Sequence, residues 1–189
     1  MIIFSRNRRL RLNESIRSLV RETVLTTNDF VMPMFVMEGE NTQEASTSMP
    51  GIFRRTIDLT VKECRELFSL GVKAVNIYMK VPENLKDNLG TEAWNKDGLM
   101  QRTIREIKNA VPEMIVMPDV ALDPYSIYGH DGIITNGQID NDATNEALAR
   151  MSVSLAEAGA DIVAPSDMMD GRVAAIREAL EETGHINVG

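Results

Sequence analysis

The chain has 189 residues, of which 43% are hydrophobic, and this suits one domain that buries a core or part of a larger one. Its single cysteine, Cys64, excludes an internal disulfide framework and a four-thiolate zinc site, and favours a reducing, cytoplasmic compartment. No stretch approaches the ~20 apolar residues of a membrane span, and the short apolar start before the first arginines does not predict a signal peptide.

The net charge of −8 is unevenly distributed along the chain. Residues 1–21 hold six arginines against one glutamate, a net +5, so the remaining residues carry −13. A basic segment on an acidic body fits nucleic-acid binding, a solvated tail or docking on an acidic neighbouring subunit. Nucleic acid is the least favoured of the three, because the body lacks a basic stripe with interleaved aromatic residues.

Apolar runs of strand length alternate with amphipathic stretches along the chain. Strands are predicted over residues 31–37, 73–79, 114–119 and 161–166. Helices are predicted over residues 60–71, 98–112, 141–160 and 171–184. Three helix starts are assigned from capping residues: a Thr60–Glu63 capping box, then Asn141 or Asp142, then Asp170.

Four strand–helix units in series predict a parallel α/β sheet, because each helix returns the chain to begin another strand in the same direction. An open doubly wound sheet and a TIM (β/α)₈ barrel both fit this pattern. The strand-to-helix turns lack the glycine-rich fingerprint of dinucleotide-binding sheets and the P-loop. Polar clusters follow the strands at the ends where barrels place catalytic residues, which favours the barrel.

The stretch MPDVALDPYSIYGHDG, residues 117–132, places polar residues directly after the third predicted strand. Asp119 fits a substrate-orienting group, a cation ligand or a base, and equally a residue that caps its own turn. Asp123 and Asp131, with Asp119 and His130, fit an oxygen-rich site suited to magnesium, or an ordinary solvated loop. The connection from residue 121 to 141 is long for an unstructured loop, which favours a functional lid.

The stretch IVAPSDMMDGR, residues 162–172, repeats the pattern after the fourth strand. Ser166 is a candidate pocket residue rather than a nucleophile, since no histidine lies nearby in sequence to activate it. Asp167 also ends this strand. Lys80, after the second strand, fits a Schiff-base lysine, but its polar and turn-rich surroundings favour a solvated side chain.

Five stretches together closely resemble the porphobilinogen synthase (5-aminolevulinate dehydratase) family: RRLRLNESIRSLVRET, VMPMFVMEGEN, SMPGIFRRTID, DVALDPYSIYGHDG and AGADIVAPSDMMDGRVAAIREAL. They follow the family's order and spacing across essentially the whole chain. The resemblance implies an N-terminal arm over residues 1–24 that wraps a neighbouring subunit, usually in a homo-octamer. Residues 25–189 would then be the N-terminal half of a (β/α)₈ barrel.

The resemblance also implies an activity and a site. The family condenses two 5-aminolevulinate molecules to porphobilinogen with loss of two waters, in tetrapyrrole (haem) biosynthesis, without an organic cofactor. Asp119, Asp131 and Ser166 match positions at its substrate pocket. Zinc-dependent members carry cysteines at the positions of Ala121, Asp123 and Asp131, and alanine with two carboxylates cannot form a thiolate zinc site. The chain therefore resembles the aspartate-rich branch, which uses magnesium at least allosterically, at a site outside this chain.

The family's two Schiff-base lysines lie on later barrel strands, so the resemblance implies a C-terminally truncated chain that is inactive alone. A half barrel would also leave open strand edges and an uncovered apolar face, which favour association. The alternative is a non-catalytic half-barrel that serves as an assembly partner or a ligand-binding module.

Overall fold

A computed structural model describes residues 5–189, so the first four residues of the predicted arm lie outside the described part. The strands are β1 (Val31–Met37), β2 (Gln43–Ala45), β3 (Phe53–Arg55), β4 (Ala74–Lys80), β5 (Ile115–Val120), β6 (Ile133–Thr135), β7 (Gln138–Asp140) and β8 (Ala164–Pro165). The α-helices are α1 (Glu14–Leu19), α2 (Ile57–Ser69), α3 (Leu99–Ala110), α4 (Asn141–Glu157) and α5 (Arg172–Glu182). Short 3₁₀ turns span Asn7–Arg11, Thr27–Asp29, Glu83–Leu85 and Thr91–Trp94.

The main sheet has the strand order β2-β3-β1-β4-β5-β8. β1, β4, β5 and β8 are parallel and adjacent in the order in which the chain makes them. Right-handed crossovers between strands in such an order place every connecting helix on the same face, whereas a doubly wound sheet reverses its order at a switch point. The described residues therefore form the first four β/α units of a (β/α)₈ barrel, as predicted.

The parallel strands are covered by helices on one face only. Met34 pairs in register with Ile77, and both side chains are buried on the helix side with Val116 of β5. Residues one position along point to the opposite face, because side chains alternate along a strand. Phe35 and Tyr78 pair in register there and are only half-buried. This second face corresponds to the inside of the barrel.

The core lies between the sheet and helices α3 and α4. Ile104 and Ile107 of α3 and Leu148 of α4 are fully buried at helical spacing. Gln101 is buried among them and donates from its amide nitrogen to the Ala93 carbonyl at 2.9 Å and to Ser154 Oγ at 3.1 Å. This amide ties the turn before α3 to α4 and satisfies polar groups that burial would otherwise leave unpaired.

The predicted capping box at the start of α2 is wrong. The helix begins at Ile57, with Thr56 as its N-cap, so Thr60 lies inside the first turn and its N–H bonds the Thr56 carbonyl at 2.9 Å. Glu63 instead forms an ion pair with Arg55 at 2.7 Å, which joins α2 to β3. The helix begins about one helical turn before the predicted start, and a shift of one turn leaves the same face of the helix apolar.

Two other predicted caps are also wrong. The cap of α4 is Asp140, whose carboxylate accepts the Ala143 N–H at 3.1 Å, rather than Asn141 or Asp142. α5 is preceded by Gly171 at φ 79°, a left-handed conformation that favours glycine. Asp170 offers its backbone carbonyl to the Asn145 side chain at 2.7 Å instead of capping the helix.

The connection from residue 121 to 141 is not an unstructured loop as predicted. β6 and β7 form an antiparallel hairpin within it, with Ile134 opposite Ile139. We refer to residues 133–140 as the hairpin. The fourth predicted strand is also shorter than expected, since only Ala164 and Pro165 pair with β5.

The described residues of the predicted arm are exposed, apart from Ile16 and Arg17, which are half-buried. Arg17 and Arg21 both pair with Glu14, at 2.7 and 3.0 Å, and the apolar side chains Leu12 and Leu19 face solvent. The division of the chain after residue 24 stays a prediction. Between residues 5 and 189, the structure contains no helix with the length and apolar character needed to cross a membrane.

Cys64 belongs to the core, as its position on the apolar face of α2 predicts. The thiol is fully buried with Sγ 3.7 Å from Met34 Sδ, and burial raises its pKa to about 12, with the Glu63 charge adding to the increase. Because the thiolate is the reactive form, we expect the native chain to resist a thiol reagent at about pH 8 and the urea-unfolded chain to react completely. Rapid labelling of the native chain would contradict this placement.

Candidate functional site

Asp119 and Ser166 meet at the carboxyl ends of two neighbouring parallel strands. Asp119 of β5 lies opposite Ala164 of β8, so Ser166 follows just beyond the edge of the pairing. Ser166 Oγ donates a hydrogen bond to Asp119 Oδ1 at 2.7 Å. The two residues predicted for the pocket are therefore in direct contact, and Ser166 is open to solvent on its other side.

The Asp119 carboxyl is almost removed from water, at 7% exposure. Burial raises its pKa to about 6, the Ser166 hydrogen bond opposes the increase, and the charges of Asp123, Asp131 and Asp167 add to it. Burial and like charges both disfavour a carboxylate, so their effects add. A carboxyl group that titrates near neutral pH can give or accept a proton at a bound substrate.

Asp123 and Asp131 also come together. Desolvation is the largest cause of the raised pKa of Asp123, followed by the Asp131 charge and a hydrogen bond with the Asp131 side chain, while Lys86 lowers it. Asp123 keeps contact with solvent. Within residues 5–189, no group of three or more His, Cys, Asp or Glu side chains is arranged to hold a metal ion. The Asp123 and Asp131 side chains therefore interact with each other, and their role as a metal site stays a prediction.

Asp167 is a third acidic neighbour that the sequence interpretation named only as a strand end. Its side chain is fully buried, accepts the Met169 N–H at 2.7 Å and lies 3.1 Å from Arg172 Nε. Burial raises its pKa and Asp131 adds to the increase, whereas Met169 and Arg172 oppose it. The signal available in the sequence was its position directly after Ser166.

Two aromatic side chains form a wall on the inner face beside Asp119. The Phe35 and Tyr78 rings stack with centroids 5.3 Å apart and planes inclined by 24°. Burial and the Asp119 charge raise the pKa of Tyr78, which places its hydroxyl within the field of that carboxylate. The strand over residues 73–79 was predicted, but its inward-facing positions were not assigned to the site.

Lys80, His130 and Trp94 are not part of the site around Asp119. Lys80 is exposed and pairs with Glu44 at 2.8 Å, which agrees with a solvated lysine. His130 Nδ1 accepts the Gly132 N–H at 3.2 Å and so stabilises its own turn. Trp94 lines a cavity of about 420 Å³ together with side chains of α4 and α5, in the outer helical layer.

The hydrogen bond between Ser166 and Asp119 predicts a measurable change in acidity. In a Ser166→Ala variant the Asp119 carboxylate loses a donor, so its pKa should rise above the native value of about 6. The ¹³C carboxyl resonance of Asp119, followed against pH, measures this. Ser18→Ala, at an exposed position of α1, is the control, and an unchanged or lower Asp119 pKa in Ser166→Ala would show that the bond does not stabilise the carboxylate.

The site combines acidic, hydroxyl and aromatic groups. The carboxylates attract a cationic group such as an ammonium ion, Asp119 can exchange a proton, and the aromatic wall covers a short carbon chain. The arrangement suits a small substrate that carries an amine.

Comparison with known proteins gives a consistent result. The family model for delta-aminolevulinic acid dehydratase matches residues 4–189. The chain is 46% identical over 183 residues to the delta-aminolevulinic acid dehydratase of Bradyrhizobium diazoefficiens, covering 97% of this chain and 52% of that protein. It is 45% identical over 185 residues to the Bacillus subtilis protein of the same name, covering 98% and 56%.

A solved structure matches in fold as well as in sequence. The crystal structure of delta-aminolevulinic acid dehydratase (porphobilinogen synthase) from Toxoplasma gondii, in complex with the reaction product porphobilinogen, superposes with a TM-score of 0.96 at 43% identity. The match covers 99% of this chain and 53% of that one, and the chain likewise spans about half the length of the curated relatives that it matches. The family match over nearly every residue and the shared barrel fold lead to one conclusion: this chain belongs to the delta-aminolevulinic acid dehydratase family.

Proposed function

We propose that this chain is part of a porphobilinogen synthase. That enzyme condenses two 5-aminolevulinate molecules to porphobilinogen, with loss of two waters, in tetrapyrrole (haem) biosynthesis. The observation that carries the proposal is the Asp119–Ser166 contact at the carboxyl ends of β5 and β8. The Toxoplasma gondii structure, which holds porphobilinogen on the same fold, supports it.

In this proposal each residue acts through its chemistry at the barrel mouth. Asp119 takes a proton from, or returns one to, the substrate amine, since its pKa of about 6 allows both forms near neutral pH. Ser166 orients the Asp119 carboxylate through the 2.7 Å hydrogen bond, and Asp131 adds negative charge that attracts the ammonium group. Tyr78 and Phe35 pack against the substrate carbon chain.

We assign the Schiff-base step to lysines of the other half of the barrel. Lys80 is a poor candidate for it, because it is exposed and paired with Glu44. A lysine becomes a nucleophile when burial or a neighbouring cation depresses its pKa, and an exposed ion pair provides neither.

Magnesium is the cation best suited to the donor atoms of Asp123 and Asp131. Asp123 and Asp131 offer hard carboxylate oxygens, and magnesium commonly binds one or two carboxylates while keeping several waters. Ala121, at the third position of the zinc cysteines, has no ligand atom. We place the allosteric magnesium of the family outside this chain.

We further propose a cytoplasmic homo-oligomer, an octamer as in the family, assembled through the arm. The arm is basic and the rest of the chain is acidic, so the arm of one copy complements the body of another. The arm's exposed apolar side chains, which include Leu12 and Leu19, would be buried by such docking.

The test is an NMR titration of the whole chain with 5-aminolevulinate. Saturable shifts are expected at Asp119, Ser166 and Tyr78, and much weaker ones with levulinic acid, which lacks the amine. Borohydride reduction followed by intact-mass measurement is expected to give no adduct, because the reacting lysines are assigned elsewhere. An adduct would locate a reactive lysine in this chain, with Lys80 the first to examine. Absence of all shifts would favour a non-catalytic half-barrel module.

A further inference from the structure

The loop after β4 contacts the hairpin through one side chain that bonds twice to the same residue. Asn88 Nδ2 donates to the Ile134 carbonyl at 3.0 Å, and Asn88 Oδ1 accepts the Ile134 N–H at 3.0 Å. The amide of Asn88 thus imitates the pairing that a neighbouring strand would give to β6. The side chain is half-buried, so these bonds are partly shielded from competing water.

The same loop holds the chain at a second point. The backbone N–H of Asp87 donates to the Tyr125 carbonyl at 3.1 Å, and the backbone carbonyl of Asp87 accepts the Ile127 N–H at 3.3 Å. These two bonds form a parallel β-bridge between Asp87 and Ser126. In sequence, Asp131 lies between this bridge and the Ile134 contact. The segment that carries Asp131 is therefore fastened on both sides of that residue.

The charges around Asp131 give a reason for the fastening. Asp131 is half-buried, and its charge acts on the side chains of Asp119, Asp123 and Asp167, so four acidic side chains lie close together here. Like charges at short range repel, and a mobile segment would relieve the repulsion by moving Asp131 away. Neutral hydrogen bonds from Asn88 oppose that movement without adding charge to the cluster.

A different residue holds the base of the hairpin. Thr144 of α4 accepts the Ile133 N–H at 3.0 Å and donates to the Asp140 carbonyl at 2.5 Å. Thr144 is fully buried, so this contact belongs to the core. Loss of the Asn88 contact should therefore release the segment around Asp131 while the hairpin stays attached to α4.

We infer that Asn88 is a positioning residue, which holds the hairpin so that Asp131 stays beside Asp123 at the candidate site. The inference rests on the proposed function for its relevance to the reaction, because Asp131 is the group that it places near the substrate amine. The positioning itself is a property of the free chain and can be measured without substrate.

The experiment compares hydrogen exchange and ¹³C carboxyl resonances in the whole chain and in Asn88→Ala. The Ile134 amide should exchange about tenfold faster in the variant, the change expected for one or two lost hydrogen bonds. The Asp123 and Asp131 carboxyl resonances should move as the two groups separate. Exchange of the Ile77 amide, in the core strand β4, should stay the same. A general loss of stability would change Ile77 as well.

Two matched variants sharpen the result. Asn95→Ala removes an exposed asparagine whose Nδ2 bonds Glu92 at 3.0 Å, and it should alter neither the Ile134 exchange nor the aspartate resonances. Thr144→Val removes the acceptor of the Ile133 N–H, so hydrogen exchange of the Ile133 amide should become faster. Unchanged Ile134 exchange in Asn88→Ala would overturn the inference, and so would faster exchange with both aspartate resonances in place. Since no ligand is used, failure of 5-aminolevulinate to bind would count against the proposed function alone.

Discussion

Replacing Leu148 by alanine should lower the free energy of unfolding by about 2–5 kcal/mol. Leu148 is fully buried in α4, where that helix packs into the hydrophobic core of the described residues. Alanine removes apolar contact area and leaves a cavity that the surrounding sheet and helices cannot fill completely. Urea unfolding measures the change, and the melting temperature should fall by roughly 5–15 °C for a chain of this size.

Leu70→Ala is the matched control for this prediction. Leu70 follows the last residue of α2 and is 65% exposed, so its truncation removes the same atoms from a position that packs little. Its effect should stay within about 0.5 kcal/mol, as is usual for surface substitutions. Equal losses in the two variants would show that α4 does not pack on the core as described.

Three of the four parallel strands were predicted well because they are covered apolar runs, whereas the short strands β2 and β3 of the same sheet were not predicted. β1 coincides with the predicted strand over residues 31–37, and β4 and β5 each begin one residue later than predicted. Helix phases were also correct, and α4 begins at residue 141 as predicted, whereas the capping residues assigned to α2, α4 and α5 were wrong. Several side chains near each start were chemically able to cap, and only the path of the chain selected Thr56 and Asp140.

The short fourth strand shows what an apolar run does not specify. The predicted strand over residues 161–166 was reduced to Ala164–Pro165 because its first residues pair irregularly. The N–H groups of Asp161 and Ile162 both approach the Val116 carbonyl, at 3.1 and 3.4 Å. Lys108 of α3 binds the Asp161 carboxylate at 3.0 Å, which holds this residue outside the ladder. The hydrophobic pattern of the sequence does not reveal such tertiary contacts.

The candidate site was predictable where it depends on strand ends and hidden where it depends on packing. Asp119 lies near the carboxyl end of β5 and Ser166 directly follows the neighbouring strand β8, so the topology alone brings them together. The contribution of Tyr78 depends on which face of β4 turns inward, and that of Asn88 on how one loop lies against another. Neither follows from local sequence.

An Asp119→Asn variant should be more stable than the native chain at neutral pH, by up to about 3 kcal/mol. The native pKa of Asp119 is about 6, whereas an unfolded aspartate titrates near 3.9. Between those two values the folded chain keeps a proton that the unfolded chain has lost, so this carboxyl group makes stability fall as pH rises. Asparagine carries no charge at any pH and retains an oxygen that can accept the Ser166 hydrogen bond.

Urea unfolding at several pH values between about 4 and 7 tests the sign of this effect. The advantage of Asp119→Asn should vanish at the acidic end, where native Asp119 is protonated, and grow to a plateau above the native pKa of about 6. Asp97→Asn, at an exposed position, should show no such growth. A difference independent of pH would mean that the burial of Asp119 carries no electrostatic penalty. The expected result would show that the fold sustains a destabilising carboxylate at the barrel mouth, which is characteristic of a group retained for chemistry rather than for stability.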